Sequence, residues 1–191
     1  YANENLKAGD VLEVMVPEGR FVFEPNSSPK SVAAFAAGSG ITPIMSIAHT
    51  VLESHPASTF VLVFGNQTPE ETMYLKDLEE LQTKYSDRFF IQKVYSRSQE
   101  DGALFGRIET STVNFIIKNK FKETAFDAFY LCGPEEMINT VSDTLKNNGV
   151  SEDKILFELF TATESEDTLA ENLDGKTHVE VLVDDETFSF T

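Results

Sequence analysis

The sequence predicts an α/β domain: a five-stranded parallel sheet with helices on both faces. Two observations predict it. Five apolar runs of strand length, near residues 32–37, 60–64, 89–95, 128–132 and 155–160, are almost continuously hydrophobic, as strands buried on both faces must be. Stretches with apolar residues at helical spacing separate most of these runs. Strands alternating with helices favour parallel pairing through right-handed crossovers.

The first unit of this domain is the most informative. Its strand stops at Gly38-Ser39-Gly40, and Thr42-Pro43 then opens a segment in which Ile44, Ile47, Ala48, Val51 and Leu52 recur at helical spacing. Gly38 and Gly40 permit positive φ and keep Cβ atoms out of the way of a ligand. Thr42 can cap the helix, and Pro43 suits its first position. Exposed amides at such a start attract anions, and no acid occurs from Val32 until Glu53 to oppose one. An ordinary βα turn without a ligand has the same composition, and the turn is neither a G-x-G-x-x-G fingerprint nor a P-loop.

The second strand, 60–64, is followed by Gly65-Asn66-Gln67 and by Thr68-Pro69-Glu70-Glu71, which fits a capping box for a helix carrying Leu75, Leu78 and Leu81. After the third strand, residues 96–107 form a polar loop, and 110–118 read as a helix with Val113, Ile116 and Ile117 inward. The fourth strand ends at Cys132-Gly133-Pro134. A helix with Ile138, Val141 and Leu145 on one face follows and stops at Asn148-Gly149. The fifth strand contains Glu158-Leu159-Phe160.

The ends of the chain read differently. Residues 11–16 (VLEVMV) and 21–23 (FVF) read as two strands, which do not stand alone in water, so residues 1–25 are expected to close a β domain that begins upstream. Residues 25–30 are the linker to the domain over 31–160. An opening at Tyr1 and not Met fits a piece of a longer chain. Residues 161–176 read as an acidic linker, and 177–191 as the start of a further domain whose 178–190 alternate around Asp184-Asp185 as a hairpin.

Composition excludes several functions. With 41% apolar residues and 16 phenylalanines, the 191 residues can build a core. A formal charge of −17 opposes nucleic acid and anionic membranes, both of which call for clustered cations. From Glu152 onward there are 12 acidic and 2 basic residues. No membrane span or signal peptide is evident, and one cysteine, Cys132, allows no internal disulfide, which fits the cytoplasm. His49, His55 and His178 show no metal spacing, so no metal site is expected.

In an open parallel sheet, ligands bind where strand order reverses. If the first and fourth strands flank that point, residues 38–43 and 132–135 share one cleft. Glu135 and Glu136 make the second helix start hostile to phosphate. A pyrophosphate therefore belongs over Thr42, and an uncharged ring near Cys132.

Gly38-Ser39-Gly40-Ile41-Thr42-Pro43 followed by Leu131-Cys132-Gly133-Pro134 resembles the paired signature of the ferredoxin–NADP reductase superfamily. The likeness is nearest to reductase components of oxygenases of the phenylacetyl-CoA epoxidase type. Gly65-Asn66-Gln67-Thr68-Pro69-Glu70, Tyr95-Ser96-Arg97 and Gly106-Arg107-Ile108 also match, so the resemblance covers about residues 1–160. It implies a Rossmann-like NAD(P)H-binding domain, preceded by the tail of an FAD-binding β-barrel, with hydride passing from nicotinamide to flavin. It implies that Gly38, Ser39, Gly40, Ile41, Thr42, Pro43, Asn66, Ser96, Arg97, Cys132, Gly133, Pro134 and Met137 bind the coenzyme. Thr42, Cys132 and Glu158 then act in catalysis: Thr42 near the flavin, Cys132 positioning the ring and Glu158 relaying a proton. Cys132 otherwise reads as a small buried strand-end residue, and Glu158 as a solvent-facing one.

Ser96-Arg97 resembles a pair that binds a 2′-phosphate, and no acid follows the second strand before Glu70, so NADPH is favoured, with NADH the alternative. The resemblance also implies a [2Fe–2S] module opening at the 178–190 hairpin and electrons delivered to an oxygenase component as redox partner. The cysteine cluster of that module and the flavin-binding Arg-x-Tyr-Ser segment are both absent here, so this chain is not expected to complete an electron path by itself. The competing reading is a non-catalytic nucleotide-binding module, or an electron-transfer subunit whose acidic surface docks a redox partner. Oligomeric state is not legible.

Overall fold

β1 (Ser31–Ala37) lies at the centre of the sheet, and its residues from Val32 to Ala36 are wholly buried. The structure, a computed structural model, describes residues 1, 4–23, 30–159, 179–183 and 186–190, the last two ranges as backbone. They fall into two units, Tyr1–Phe160 and Thr161–Thr191.

In the first unit, β2 (Thr59–Asn66), β3 (Phe89–Tyr95), β4 (Leu104–Phe105), β5 (Ala128–Cys132) and β6 (Ile155–Glu158) join β1 in one sheet. Its order is β4-β3-β2-β1-β5-β6, and every pair is parallel. The chain steps outward from β1 to β4 and then crosses back to β5 on β1's other side. Strand order reverses between β1 and β5, which leaves a crevice beyond their carboxyl ends.

Alternation along β1 assigns the two layers. Val32, Ala34 and Ala36 face α1 (Ile41–Ser54) and α2 (Leu75–Lys84), together with Phe60, Leu62 and Phe64 of β2. Ala33 and Phe35 face the opposite layer. That layer is α3 (Thr110–Asn114), the π-helical turn Phe115–Lys120 that continues it, and α4 (Glu135–Asn147). The apolar stripes seen in the sequence, Ile44-Ile47-Ala48-Val51 and Ile138-Val141-Leu145, are the buried faces.

Arg88 fixes the far end of α1. Its guanidinium donates to the carbonyls of His55 (3.2 Å), Ser58 (3.4 Å) and, more closely, Leu52, and it lies 4.6 Å from the centre of the Tyr85 ring. A cation there answers the helix's unpaired carbonyls and its dipole. Near the same edge, Phe21 meets Tyr130 edge-on at 5.4 Å, and Phe23 meets His55 at 5.4 Å. The Tyr130 hydroxyl donates to the Val22 carbonyl at 3.1 Å, which fastens residues 21–23 to the domain.

Several expectations need correction. The sheet has six strands and not five: β4 is two residues long, too short for any periodicity, and sits within the stretch read as a polar loop. Residues 11–16 and 21–23 are not strands, because no neighbouring strand among the described residues offers their backbone a partner. Val11 is 93% exposed and Met15 86%. The helix after β1 starts at Ile41 with Gly40 as its cap, so Thr42 and Pro43 lie inside its first turn, and Thr42 does not cap. Thr68-Pro69-Glu70-Glu71 forms an isolated turn, in which the Thr72 N–H bonds Pro69 O at 3.1 Å. The Glu70 carboxyl, held below the usual range by bonds from its own backbone N–H and the Thr68 hydroxyl, belongs to that turn. The helix begins only after Tyr74, whose φ of 56° is left-handed. The helix read over 110–118 gives way to the π-turn after Asn114.

The second unit contains β7 (Val179–Val183) and β8 (Glu186–Phe190), paired antiparallel from Val179↔Phe190 to Val183↔Glu186. This is the hairpin that the alternation around Asp184-Asp185 predicts. The expected linkers over 25–29 and 161–176 lie outside the described residues, as does Phe160.

Replacing Arg88 with Met removes three charge-assisted bonds while keeping an unbranched stem. We expect a stability loss of about 2 kcal/mol, read as a lower urea midpoint at unchanged slope.

Candidate functional site

The crevice is set by how closely two turns approach. β1 and β5 are in register, Ala36 opposite Cys132, so both chains leave the sheet side by side. The first turns through a single 3-10 turn, Gly38–Gly40, with Gly38 at φ 53°. The second turns at Gly133. A Cβ built on Gly40 would lie 2.1 Å from Cys132 O and 2.8 Å from Gly133 N. Gly40 itself has φ −59°, so glycine is required there for space and not for conformation. Gly38 supplies the conformational freedom. Sequence reasoning gave both glycines both roles; the structure divides them.

Around this contact the predicted residues assemble. Ser39 and Thr42 are exposed at the rim, and the Thr42 hydroxyl donates to Ser39 O at 3.0 Å. Ile41 is buried beneath the turn, and Pro43 is half-buried in the first turn of α1. That turn contains no acid, whereas Glu135 and Glu136 occupy the first turn of α4, behind Pro134. The electrostatic asymmetry expected from sequence is therefore present across one crevice. An anion is favoured on the α1 side.

Cys132 is fully buried at the end of β5, and Glu158 pairs with it across β6. Burial first, then the Glu158 charge, pushes the thiol up from 9.0 to about 11. It is a neutral, inert group at neutral pH, suited to packing and not to attack. Gly133 lies over Met137 and Ala37: a Cβ there would meet Met137 Cε at 2.9 Å and Ala37 Cβ at 3.2 Å. Ala37 is a wall of the crevice that sequence reasoning missed; its only signal was a small residue directly before the glycine turn. Ile108, quoted in the sequence only as part of a motif, lies 3.1 Å from a Cβ built on Gly65 and packs under the β2 end.

The other predicted residues lie further along the same rim. Asn66 ends β2, and its amide nitrogen is buried without a hydrogen-bond partner. Ser96 and Arg97 follow β3, tied to the β2 end by Ser96 N–H to Asn66 O (3.0 Å) and Arg97 N–H to Gln67 O (2.9 Å). The Arg97 side chain is exposed and has no ion-pair partner among the described residues. From β5 through β1 and β2 to β3 is three interstrand gaps, roughly 14 Å. An orphaned amide, a Cβ-free cradle, an acid-free helix start and an unpaired guanidinium thus line up along the strand ends. Among the described residues, no cluster of His, Cys, Asp or Glu can hold a metal ion, and no helix is long and apolar enough to cross a membrane.

Residues 35–143 match the family model of the oxidoreductase NAD-binding domain. The chain belongs to that family. It lies within the ferredoxin–NADP reductase superfamily. A component of 1,2-phenylacetyl-CoA epoxidase from Escherichia coli is 34% identical over 162 residues, 84% of this chain and 46% of that protein. NADH-cytochrome b5 reductase 2 from Saccharomyces cerevisiae is 29% identical over 143 residues, 74% of this chain and 47% of that protein. The chain thus spans about half the length of these curated relatives. Among solved structures, a cytochrome P450 reductase from Amycolatopsis superposes with a TM-score of 0.68 at 22% identity, over 85% of this chain and 47% of that one. In this NAD-binding domain, the matched residues run from β1 into α4 and so include both turns of the crevice.

Two measurements check this geometry. Gly40→Ala forces the two turns apart; we expect it to destabilise the fold by about 1–3 kcal/mol, read by thermal melting. With its thiol near 11, Cys132 in the native chain should carry roughly one thiolate per thousand molecules at pH 8 and react with iodoacetamide far more slowly than free cysteine, by mass spectrometry.

Proposed function

We propose that this chain is the NAD(P)H-binding part of an FAD-dependent reductase that passes electrons through a [2Fe–2S] centre to an oxygenase component. The observation that carries the proposal is the Gly40 contact with Cys132 and Gly133, which joins an anion-favouring turn to an apolar one in a single crevice. Relatives named as an epoxidase component and a cytochrome b5 reductase support the reductase reading. The coenzyme supplies a hydride and the flavin accepts it.

The chain's own residues hold and orient. Gly38, Ser39, Gly40 and Ile41 form the cradle for the pyrophosphate, with Thr42 and Pro43 in the helical turn beneath it. Cys132, Gly133, Pro134 and Met137 form an uncharged bed for the nicotinamide ring, and the buried, protonated Cys132 excludes water from beneath it. Asn66, with an unused donor, hydrogen-bonds the ribose or pyrophosphate between the two ends. Glu158, half-buried and opposite Cys132 in the register of β5 and β6, is the group that relays a proton at the ring's bed. Residues 1–25, in which Val11, Val14, Met15 and Val16 are exposed, belong to the flavin domain. Cys132 is the one cysteine of the chain and lies in the crevice, so the iron–sulfur ligands belong to other residues than these.

Ser96 and Arg97 bind the 2′-phosphate of NADPH, and NADH is the weaker coenzyme. The relative named for NADH makes this the point to test. The acidic charge of −17 favours a basic redox partner, and a pure docking protein would share that feature while lacking coenzyme affinity.

Calorimetric titration of the chain with 2′-phospho-ADP-ribose and with ADP-ribose tests the reading. We expect the phosphorylated ligand to bind more tightly and Arg97→Ala to weaken it roughly tenfold while leaving ADP-ribose unchanged. Absence of binding by either ligand at millimolar concentration would leave the docking reading in its place.

A further inference from the structure

The polar loop after β3 is held from beneath by a buried side chain that none of the expected roles uses. Gln92 points from β3 into the layer of α3 and α4, where a glutamine is costly unless every polar atom is paired. It is 5% exposed, and it is paired. Its amide nitrogen donates to the carbonyls of Gly102 and Lys93, each at 3.1 Å, and its oxygen accepts from Lys120 Nζ at 2.7 Å. Lys120 ends the π-turn, and burial lowers its pKa from the usual lysine value.

These bonds join three pieces of chain: the π-turn, the middle of β3 and the loop at Gly102. The same loop starts with Ser96 and Arg97 and returns to the sheet as β4, where Gly106 N–H bonds Tyr95 O at 2.8 Å. At its start the loop is fastened to β2 through Asn66 and Gln67, and at Gly102 it is fastened by Gln92. Arg97 is itself part of the first fixing, through its own N–H, and its exposed side chain stands where residues 98–101 begin their run to the second. The chain on its C-terminal side is held by a relay that begins at the π-turn, so the loop is fixed at both ends only while that relay is intact.

We infer that Lys120 and Gln92 are positioning residues: through Gly102 they hold the loop that carries Arg97, and thereby set how strongly the site distinguishes a phosphorylated from an unphosphorylated adenosine ribose. The inference rests on the assignment of Ser96 and Arg97 to the 2′-phosphate. Neither side chain touches the ligand. Removing Lys120 leaves Gln92 Oε1 without its charged donor, and removing the Gln92 amide frees the Gly102 carbonyl. In both cases the loop gains freedom that binding must then restrict, and the loss falls on the contact that needs Arg97 in place.

Two readouts test the inference on Lys120→Met, Lys120→Arg and Gln92→Leu. The first is amide hydrogen exchange across residues 96–106 without ligand. Exchange should quicken in Lys120→Met and Gln92→Leu and stay at the native rate in Lys120→Arg; unchanged exchange in all three overturns the relay. The second is the ratio of affinities for 2′-phospho-ADP-ribose and ADP-ribose. That ratio should fall about three- to tenfold in Lys120→Met, the worth of one hydrogen bond, recover in Lys120→Arg, and show no further fall when Lys120→Met is added to Arg97→Ala. Faster exchange with an unchanged ratio overturns the positioning role. A native chain that binds both ligands equally well overturns the 2′-phosphate assignment and the discrimination inferred from it, while the exchange result still decides the relay. Lys120 is itself exposed, so its substitutions cost at most the one bond to Gln92 and leave the core intact, and they decide the matter if Gln92→Leu does not fold.

Discussion

The pairing of β1 with β5 is the constraint from which the rest follows. These strands are far apart in the chain and adjacent in the sheet, and their register puts Ala36 beside Cys132. Everything at the carboxyl end is a consequence of that neighbourhood. Gly40 must lack a side chain because Cys132 O is already where its Cβ would be, and the start of α1 is held against the exit from β5. The crossover from β4 through α3 to β5 produces the reversal of strand order, and the helices on both faces hold it by burying Val32 to Ala36 completely.

Electrostatics then divides the crevice with no buried ion pair among the described residues. One helix start carries no acid and the other carries Glu135 and Glu136. The neutral thiol of Cys132, raised by burial and by Glu158, adds no charge of its own. The asymmetry favours an anion on the α1 side alone, and Asn66 offers an unused donor further along the rim.

Much of this was legible in the sequence, for physical reasons that differ by element. Continuous apolar runs announce strands buried on both faces, and helical spacing of Ile44, Ile47 and Val51 announces the layer above them. The glycine turns mark where the chain leaves the sheet. Other features were not legible. β4 has only Leu104 and Phe105, so it has no period to read, and it exists because the loop is returned to β3. Thr68 to Glu71 satisfies the rule for a helix start, yet the turn closes on itself through Thr72 and the helix waits for Tyr74. Residues 11–16 have the β-prone composition of a strand, but a strand is a property of a pair, and no partner is among the described residues. Nothing in the run 89–95 marks Gln92 as special; only the packed structure reveals that it joins the π-turn to the loop at Gly102.

The alanines of β1 govern the thickness of the domain at its centre. Ala34 and Ala36 present small side chains to the layer of α1 and α2, while the other face of the strand carries Phe35 between Ala33 and Ala37. The strand is a spacer gauge for the α1 layer, and at its end the Ala37 methyl walls the crevice beside Gly133. Ligand affinity in this domain can therefore drift through substitutions that touch no ligand: a valine in place of a mid-strand alanine would lift a helix start and loosen the grip from behind.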